Sequence, residues 1–209
     1  MVRQRVRIRF GKQGNLRLIG HRDLVRTLER LFRRADLRLG MSQGFHPKPR
    51  MSFPSALAVG IEGLDEVMEL ELAQSYPADE LLELLRHHSV PGLTFRSVEL
   101  LPAAAKKGRL HSVTYQVPVP ADRRGRTAAG ISRLMACRSY QIQRPGRRTP
   151  IDLRPLLEAL TLSDGVLSMR FRVTHQAGPG PRDVLRALDL GELEQKGICL
   201  RRTAMELHS

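Results

Sequence analysis

The chain has no tryptophan, only three tyrosines and six phenylalanines, and just two cysteines in 209 residues. Two thiols, Cys137 and Cys199, are too few and too far apart for a zinc or iron-sulfur centre, so no metal site and no cofactor are readable. A disulfide scaffold is excluded for the same reason, and the cysteine usage suits a reducing, cytoplasmic setting. No apolar run approaches the roughly 20 residues of a membrane span. The arginine-rich start MVRQRVRIRF has no apolar stretch of a signal peptide, so no membrane partner is expected. Acidic residues are in short supply: 21 against 35 Lys and Arg, for a net charge of +14. With 41% apolar residues the chain can bury one full core or two small ones, which gives one or two domains and excludes disorder.

Positive excess of this size marks a polyanion partner, because Lys and Arg release counterions condensed on phosphates. RNA, DNA and a ribosomal surface are the candidates, and a basic surface that only keeps the protein soluble is the plain alternative. The charge is polarised. Residues 1–50 hold 14 Lys or Arg and three acids, whereas residues 61–102 hold two basic residues and nine acids.

The order of elements repeats. Residues 2–10 alternate, with Val2, Val6, Ile8 and Phe10 on one side and Arg3, Arg5, Arg7 and Arg9 on the other, which is the period of a half-buried strand. HRDLVRTLERLFRRADL places Leu24, Leu28, Leu31, Phe32 and Ala35 at helical spacing. SALAVGI and EVMELELA read as two strands around a turn at EGLD, PADELLELLRHHS as a second helix and LTFRSVEL as a strand. After a small-residue linker at 103–110 come the strand SVTYQVPV, the helix RTAAGISRLMA, extended pieces at SYQIQ and IDLRPLLEALTL, the strand GVLSMRFRV, the short helix PRDVLRAL and a closing strand ICLRRTAMEL. The expected fold is α+β: two tandem ferredoxin-like βαββαβ units, residues 1–102 and 111–209, the second less regular.

The first 75 residues also resemble a known family. The resemblance rests on a basic strand ending in Phe10, Lys12 and Gly14, on His21, Asp23 and Leu24 at the helix start, and on paired Arg33 and Arg34 at its end. It includes the loop Ser42, Gly44, Phe45, Pro47, which leads to a small-residue stretch. These features are similar to the radical-SAM-linked protein family, a bacterial domain found alone or behind a cobalamin-binding radical SAM protein. The sequence departs from that pattern at Gly20, where the family has serine, and at Lys48, where it often has histidine. The resemblance implies a separate radical SAM protein as a partner. The chain is not that enzyme, since its cluster needs three closely spaced thiolates.

Three groups of side chains are candidates for function. Arg5 and Arg7 would line the sheet face away from the helices, opposite Glu69 and Glu71 of a neighbouring strand, so phosphate binding and cross-strand ion pairing are both open there. No aromatic lies on that face, so base stacking upon it is not supported. Arg22, Arg26, Arg30, Arg33 and Arg34 form the outer side of the first helix, where Glu29 could pair with Arg33 one turn on. The loop MSQGFHPKPRMSFP is neither helix nor central strand, because its prolines remove donors and fix φ. Gly44 permits a tight backbone there, Phe45 is expected to anchor the loop in the core, and Pro47 and Pro49 hold His46, Lys48 and Arg50 in a fixed array. The expected function is a non-catalytic RNA-binding or adaptor protein. The alternative, by analogy with CRISPR-type endoribonucleases of tandem ferredoxin-like fold, is a metal-independent nuclease using His21 and His46.

Overall fold

The alternation at the start of the chain becomes strand β1 (Gln4–Lys12), and the helical stripe that follows becomes α1 (His21–Arg34). The computed structural model describes residues 3–102, 104–146, 148–174 and 178–208; Val2 of the expected first strand and Ala103 of the expected linker lie outside them. The chain divides into two compact units, the first ending at Arg109 and the second beginning at Leu110.

In the first unit the order continues with β2 (Met51–Ser52), β3 (Glu62–Leu72), α2 (Ala78–His87) and β4 (Leu93–Leu101). Every pairing is antiparallel, and the strands lie in the order β4, β1, β3, β2. Val6, Ile8 and Phe10 of β1 point with Met68, Leu70 and Leu72 of β3 toward Leu24, Leu28, Leu31 and Phe32 of α1 and Leu81 and Leu85 of α2, and these form one buried cluster. The opposite face of β1 carries Arg5, Arg7 and Arg9. After α1 the chain reverses through a Schellman motif: Asp36 adopts φ 48°, its N–H donates to the Arg33 carbonyl, and the Leu37 N–H donates to the Phe32 carbonyl at 3.0 Å. That turn sends Leu37, Arg38 and Leu39 back along the end of β3, where Leu39 bridges Leu72 and the Ala73 N–H donates to the Arg38 carbonyl at 2.7 Å.

Two expectations are corrected here. SALAVGI is not a strand: the Ile61 N–H bonds to the Ala58 carbonyl in a turn, so Leu57 and Ile61 are buried while Val59 is half in solvent. Its apolar content signals anchoring of a loop. The strand that pairs with β3 before it is the short Met51–Ser52. EGLD is not a turn either, but the first residues of β3. Its Glu62 and the following Glu66 are buried, as is Lys12, which pairs with Gly63 beyond a register shift in β1. Glycine and acids suggested a surface turn, but the Glu62 carboxylate is instead held inside, accepting from the Gly14 N–H at 3.0 Å.

The second unit contains β5 (Leu110–Pro118), α3 (Arg124–Ala136), β6 (Gln141–Ile142), β7 (Ile151–Asp152), β8 (Leu157–Ser163), β9 (Val166–Arg172), α4 (Pro181–Ala187) and β10 (Arg201–Leu207). Its main strands are antiparallel in the order β10, β5, β9, β8, while β6 and β7 form a ladder of their own. β8 and β9 are joined by Asp164 and Gly165 at φ 52° and 74°, the paired left-handed residues of a tight two-residue hairpin. Leu167, Met169 and Phe171 are buried on one face, as their alternation requires. The protein is thus α+β, and among the described residues no helix is long and apolar enough to cross a membrane.

On the other face of the second unit Arg170 pairs with Glu158 at 3.1 Å and with Glu206 at 2.6 Å, and Arg172 pairs with Glu158 at 2.9 Å. The Arg172 guanidinium, with Arg170 second, holds the Glu158 carboxyl below its ordinary range. Arg170, helped by the Ser112 hydroxyl, does the same for Glu206. Carboxylates with depressed folded pKa values stabilise fully above the unfolded value of about 4.3 and lose that contribution as pH falls through the folded values. The melting temperature is therefore expected to fall on acidification below about pH 4.3. Arg170→Gln should make that acid-side fall shallower; an identical acid profile in a thermal melt would detach Arg170 from it.

Candidate functional site

One stripe of α1 forms the first wall of a groove. Arg22, Arg26, Glu29 and Arg33 follow one another at spacings of four, three and four, which brings them to one side of the helix. The groove holds about 1050 Å³. Its apolar lining is Val25, Leu37, Leu39, Met41 and Ala73, and the loop contributes Pro47, Lys48 and Pro49. Arg38, carried on the segment that returns from α1, and His21, at the first position of the helix, complete the lining. All of these residues belong to the first unit.

The electrostatics are one-sided. Five cations, Arg22, Arg26, Arg33, Arg38 and Lys48, face a single acid, Glu29. Arg26 reaches Asp23 at 3.3 Å and Arg38 reaches Asp36 at 3.6 Å, but both pairs are solvent-exposed and hold their charges weakly. Among the described residues the side chains of Arg22, Arg33 and Lys48 have no ion-pair or hydrogen-bond partner, and the expected Glu29–Arg33 pair is not formed. His21 sits with its ring edge-on to Phe53, the centroids 4.9 Å apart.

The loop that closes the groove is a small hairpin. Met41 bridges Pro49, the Ser42 N–H donates to the Lys48 carbonyl at 2.8 Å, the Lys48 N–H donates to the Ser42 hydroxyl at 2.9 Å, and the Arg50 N–H donates to the Gly40 carbonyl at 2.8 Å. Gly44, at φ 126°, makes the turn at the tip, a conformation that L side chains rarely adopt. Phe45 does not anchor this loop in the core: its ring is fully in solvent, at 102% relative exposure. The anchor is Phe53, which packs edge-on against buried Phe10 at 6.4 Å between centroids and against His21. With the legs of the hairpin tied by backbone bonds and its exit held by Phe53, the tip has no need of a buried ring.

The other candidates lie elsewhere. Arg5 and Arg7 converge on the buried carboxylate of Glu69, at 3.5 and 3.0 Å, and Arg7 also reaches Glu99 at 3.2 Å. Ion pairing is therefore the arrangement observed on that face. Arg34 donates to the His88 carbonyl at 2.9 Å, and Arg30 is exposed but not part of the groove. Arg50 pairs with Glu71 at 3.2 Å and lines a smaller cavity of about 350 Å³, in which Arg5, Lys48, Arg50 and Lys107 face Glu69 and Glu71. His46 is exposed and does not line the large groove, so the two histidines of the nuclease alternative are not brought together there. Among the described residues no three His, Cys, Asp or Glu side chains are grouped to hold a metal ion. Sequence reading missed Val25, Leu37, Leu39 and the role of Arg38. The alternation Leu37, Arg38, Leu39 was the available signal, since it turns one cation outward between two apolar residues packed on β3.

Residues 5–182 match the family DUF2344, described as uncharacterized proteins conserved in bacteria. No curated protein matches the chain significantly. Among solved structures, an unknown protein from Galdieria sulphuraria is 13% identical over 99% of both chains with a TM-score of 0.32. A protein assigned as a glycine cleavage system transcriptional repressor is 13% identical over 99% of this chain and 98% of its own, with a TM-score of 0.26. Likenesses this weak carry no argument about function.

The two phenylalanines of the loop region should separate on mutation. Phe45→Ala is expected to leave the melting temperature unchanged, because no buried contact is lost, whereas Phe53→Ala should cost roughly 2 kcal/mol or more by opening a gap against Phe10. Equal melting temperatures for the two variants would contradict this placement of the anchor.

Proposed function

The chain belongs to the DUF2344 family, and from the groove of its first unit we propose that it is a non-catalytic, cytoplasmic RNA-binding protein. The observation that carries this reading is the set Arg22, Arg33 and Lys48: three cationic residues lining one cavity without a carboxylate partner among the described residues. Unpaired cations lining one cavity repel one another, and a phosphate backbone relieves that repulsion while releasing its own counterions. Arginine adds a planar fork that bonds two phosphate oxygens at once. The apolar lining gives the sugar and base of a nucleotide a surface that a bare ion would not need.

Two finer readings join it. Strand orders β4, β1, β3, β2 in the first unit and β10, β5, β9, β8 in the second, each with a helix after its first and third strands, support two ferredoxin-like units in tandem. The similarity of the first 75 residues to radical-SAM-linked proteins supports an adaptor role, in which this chain holds the RNA and a separate radical SAM enzyme carries out the redox chemistry. Crosslinking of the native protein in its own cells followed by mass spectrometry should recover such an enzyme; repeated recovery of RNA with no radical SAM protein would sink the adaptor half of the proposal.

RNA binding is tested by salt. Each phosphate neutralised on a single strand contributes about 0.7 to the slope of log affinity against log salt. Arg22→Gln, Arg33→Gln and Lys48→Gln together should therefore flatten the slope by about 2, measured by fluorescence anisotropy with labelled RNA, while Arg30→Gln should change it little. A slope unchanged in the triple variant would remove the groove from the site, and cleavage of the RNA during the titration would contradict the non-catalytic reading.

A further inference from the structure

The ring of Phe45 has no task in the groove as a phosphate site. A single exposed apolar side chain is ordinary on a protein surface. What sets this one apart is its mounting. The hairpin legs are tied by three hydrogen bonds of 2.8 to 2.9 Å between Gly40 or Ser42 and Lys48 or Arg50, and Pro47 and Pro49 fix φ along the returning leg. Gly44 at φ 126° delivers the ring to the outermost point of that support, at 102% exposure. Three residues further on, Lys48 lines the cationic groove together with Pro47 and Pro49. The same ordered loop thus presents a bare aromatic face and a wall of the cavity lined by Arg22, Arg33 and Lys48, whose side chains have no ion-pair partner among the described residues.

We infer that Phe45 is a stacking platform for an unpaired nucleobase, so that the ligand of the groove is single-stranded nucleic acid, its phosphates among the cations and a splayed base on the ring. This rests on the RNA-binding reading and narrows it. In a duplex the base faces are already stacked on one another, and presenting one to Phe45 would cost unstacking; in a single strand the faces are free. Stacking on an aromatic ring tolerates any base, because each has a π-face, so the platform adds affinity and a preference for single strands without reading sequence. Full exposure of the ring in the free protein means that binding, rather than folding, buries it. The support is already ordered by backbone bonds, so little freedom is lost when the base arrives.

The chain has no tryptophan, so Phe45→Trp places one reporter at the platform while keeping a stacking face. The full chain carrying it would be titrated with a single-stranded oligoribonucleotide, with a duplex of the same sequence, and with inorganic polyphosphate, which offers charge without bases. The expected result is quenching of tryptophan emission by the single strand only, while polyphosphate competes for the groove without quenching. In the otherwise natural chain Phe45→Ala should weaken single-strand binding roughly tenfold. Its melting temperature and polyphosphate affinity should stay unchanged. Equal quenching by polyphosphate or duplex, or single-strand affinity unchanged in Phe45→Ala, would overturn the stacking role and leave the groove intact as a phosphate site. If neither polymer binds the unaltered protein, the RNA-binding reading itself fails and the platform with it.

Discussion

Glu69 is only 5% exposed, yet its carboxylate accepts from Arg5, from Arg7 and from the backbone N–H of Gly108 at 2.9 Å. An ionised group at that depth persists only when paired and hydrogen-bonded on several sides, and breaking such a cluster by removing one partner leaves a buried charge without compensation. The pairing decides where free positive charge can lie in the first unit. Arg9 is likewise held by Asp65, and Arg50 by Glu71. The acids of β3 thus absorb the arginines of β1 and the end of the loop, while α1, whose outward acids Asp23 and Glu29 leave most of its arginines unmatched, keeps the surplus. A polarised sequence becomes a polarised surface because opposite charges were placed across a strand register and not across the helix.

The groove then follows from how α1 ends. A left-handed Asp36 and the bond from Leu37 to Phe32 stop the helix abruptly, so the next three residues run back beside β3. Leu37 is buried against the same cluster as Phe32, which is the apolar contact that accompanies this kind of helix end. Arg38 is thereby directed outward, and the hairpin that follows starts from a fixed point, with the Gly40 N–H bonded to the Glu71 carbonyl at 2.7 Å. Both walls of the cavity hang from backbone hydrogen bonds to β3 or from the core face of α1. The backbone that carries these cations is thus fixed before a ligand arrives, while each long side chain still loses rotamer freedom on binding.

Much of this was legible in residues. Strict alternation marks β1, the leucine stripe marks α1, and the pattern alone sets Glu69 and Glu71 opposite the β1 arginines, since in an antiparallel pair the outward sides face the same way. The helix patch was legible as charge but not as geometry: five arginines lie outside the apolar stripe, and only the row of Arg22, Arg26 and Arg33 turns toward the loop. What failed did so for one physical reason. In SALAVGI, EGLD and Phe45 the local chemistry was read against an average environment, whereas burial there is set by long-range packing. Leu57 and Ile61 pin a turn, Glu62 is satisfied from another segment, and the core position near the loop was already filled by Phe53. No periodicity within a short segment reports which of two nearby phenylalanines reaches the core first.

The lining combines two properties that a simple anion site has no need to combine. Inorganic phosphate is met by a few donors in a small pocket, and an apolar floor beneath it would only remove competing solvation from the cations. Here Val25, Leu37, Leu39, Met41 and Ala73 line a cavity of about 1050 Å³ together with the five cations. Guanidinium groups are weakly hydrated and planar, so they can lie along an apolar surface with their edges still open to oxygen. A ligand that exploits both would carry spaced negative charges joined by flat or apolar parts, as the nucleotide chain proposed above does. For the proposed ligand, ionic strength is expected to set occupancy, together with whatever competes for the apolar lining.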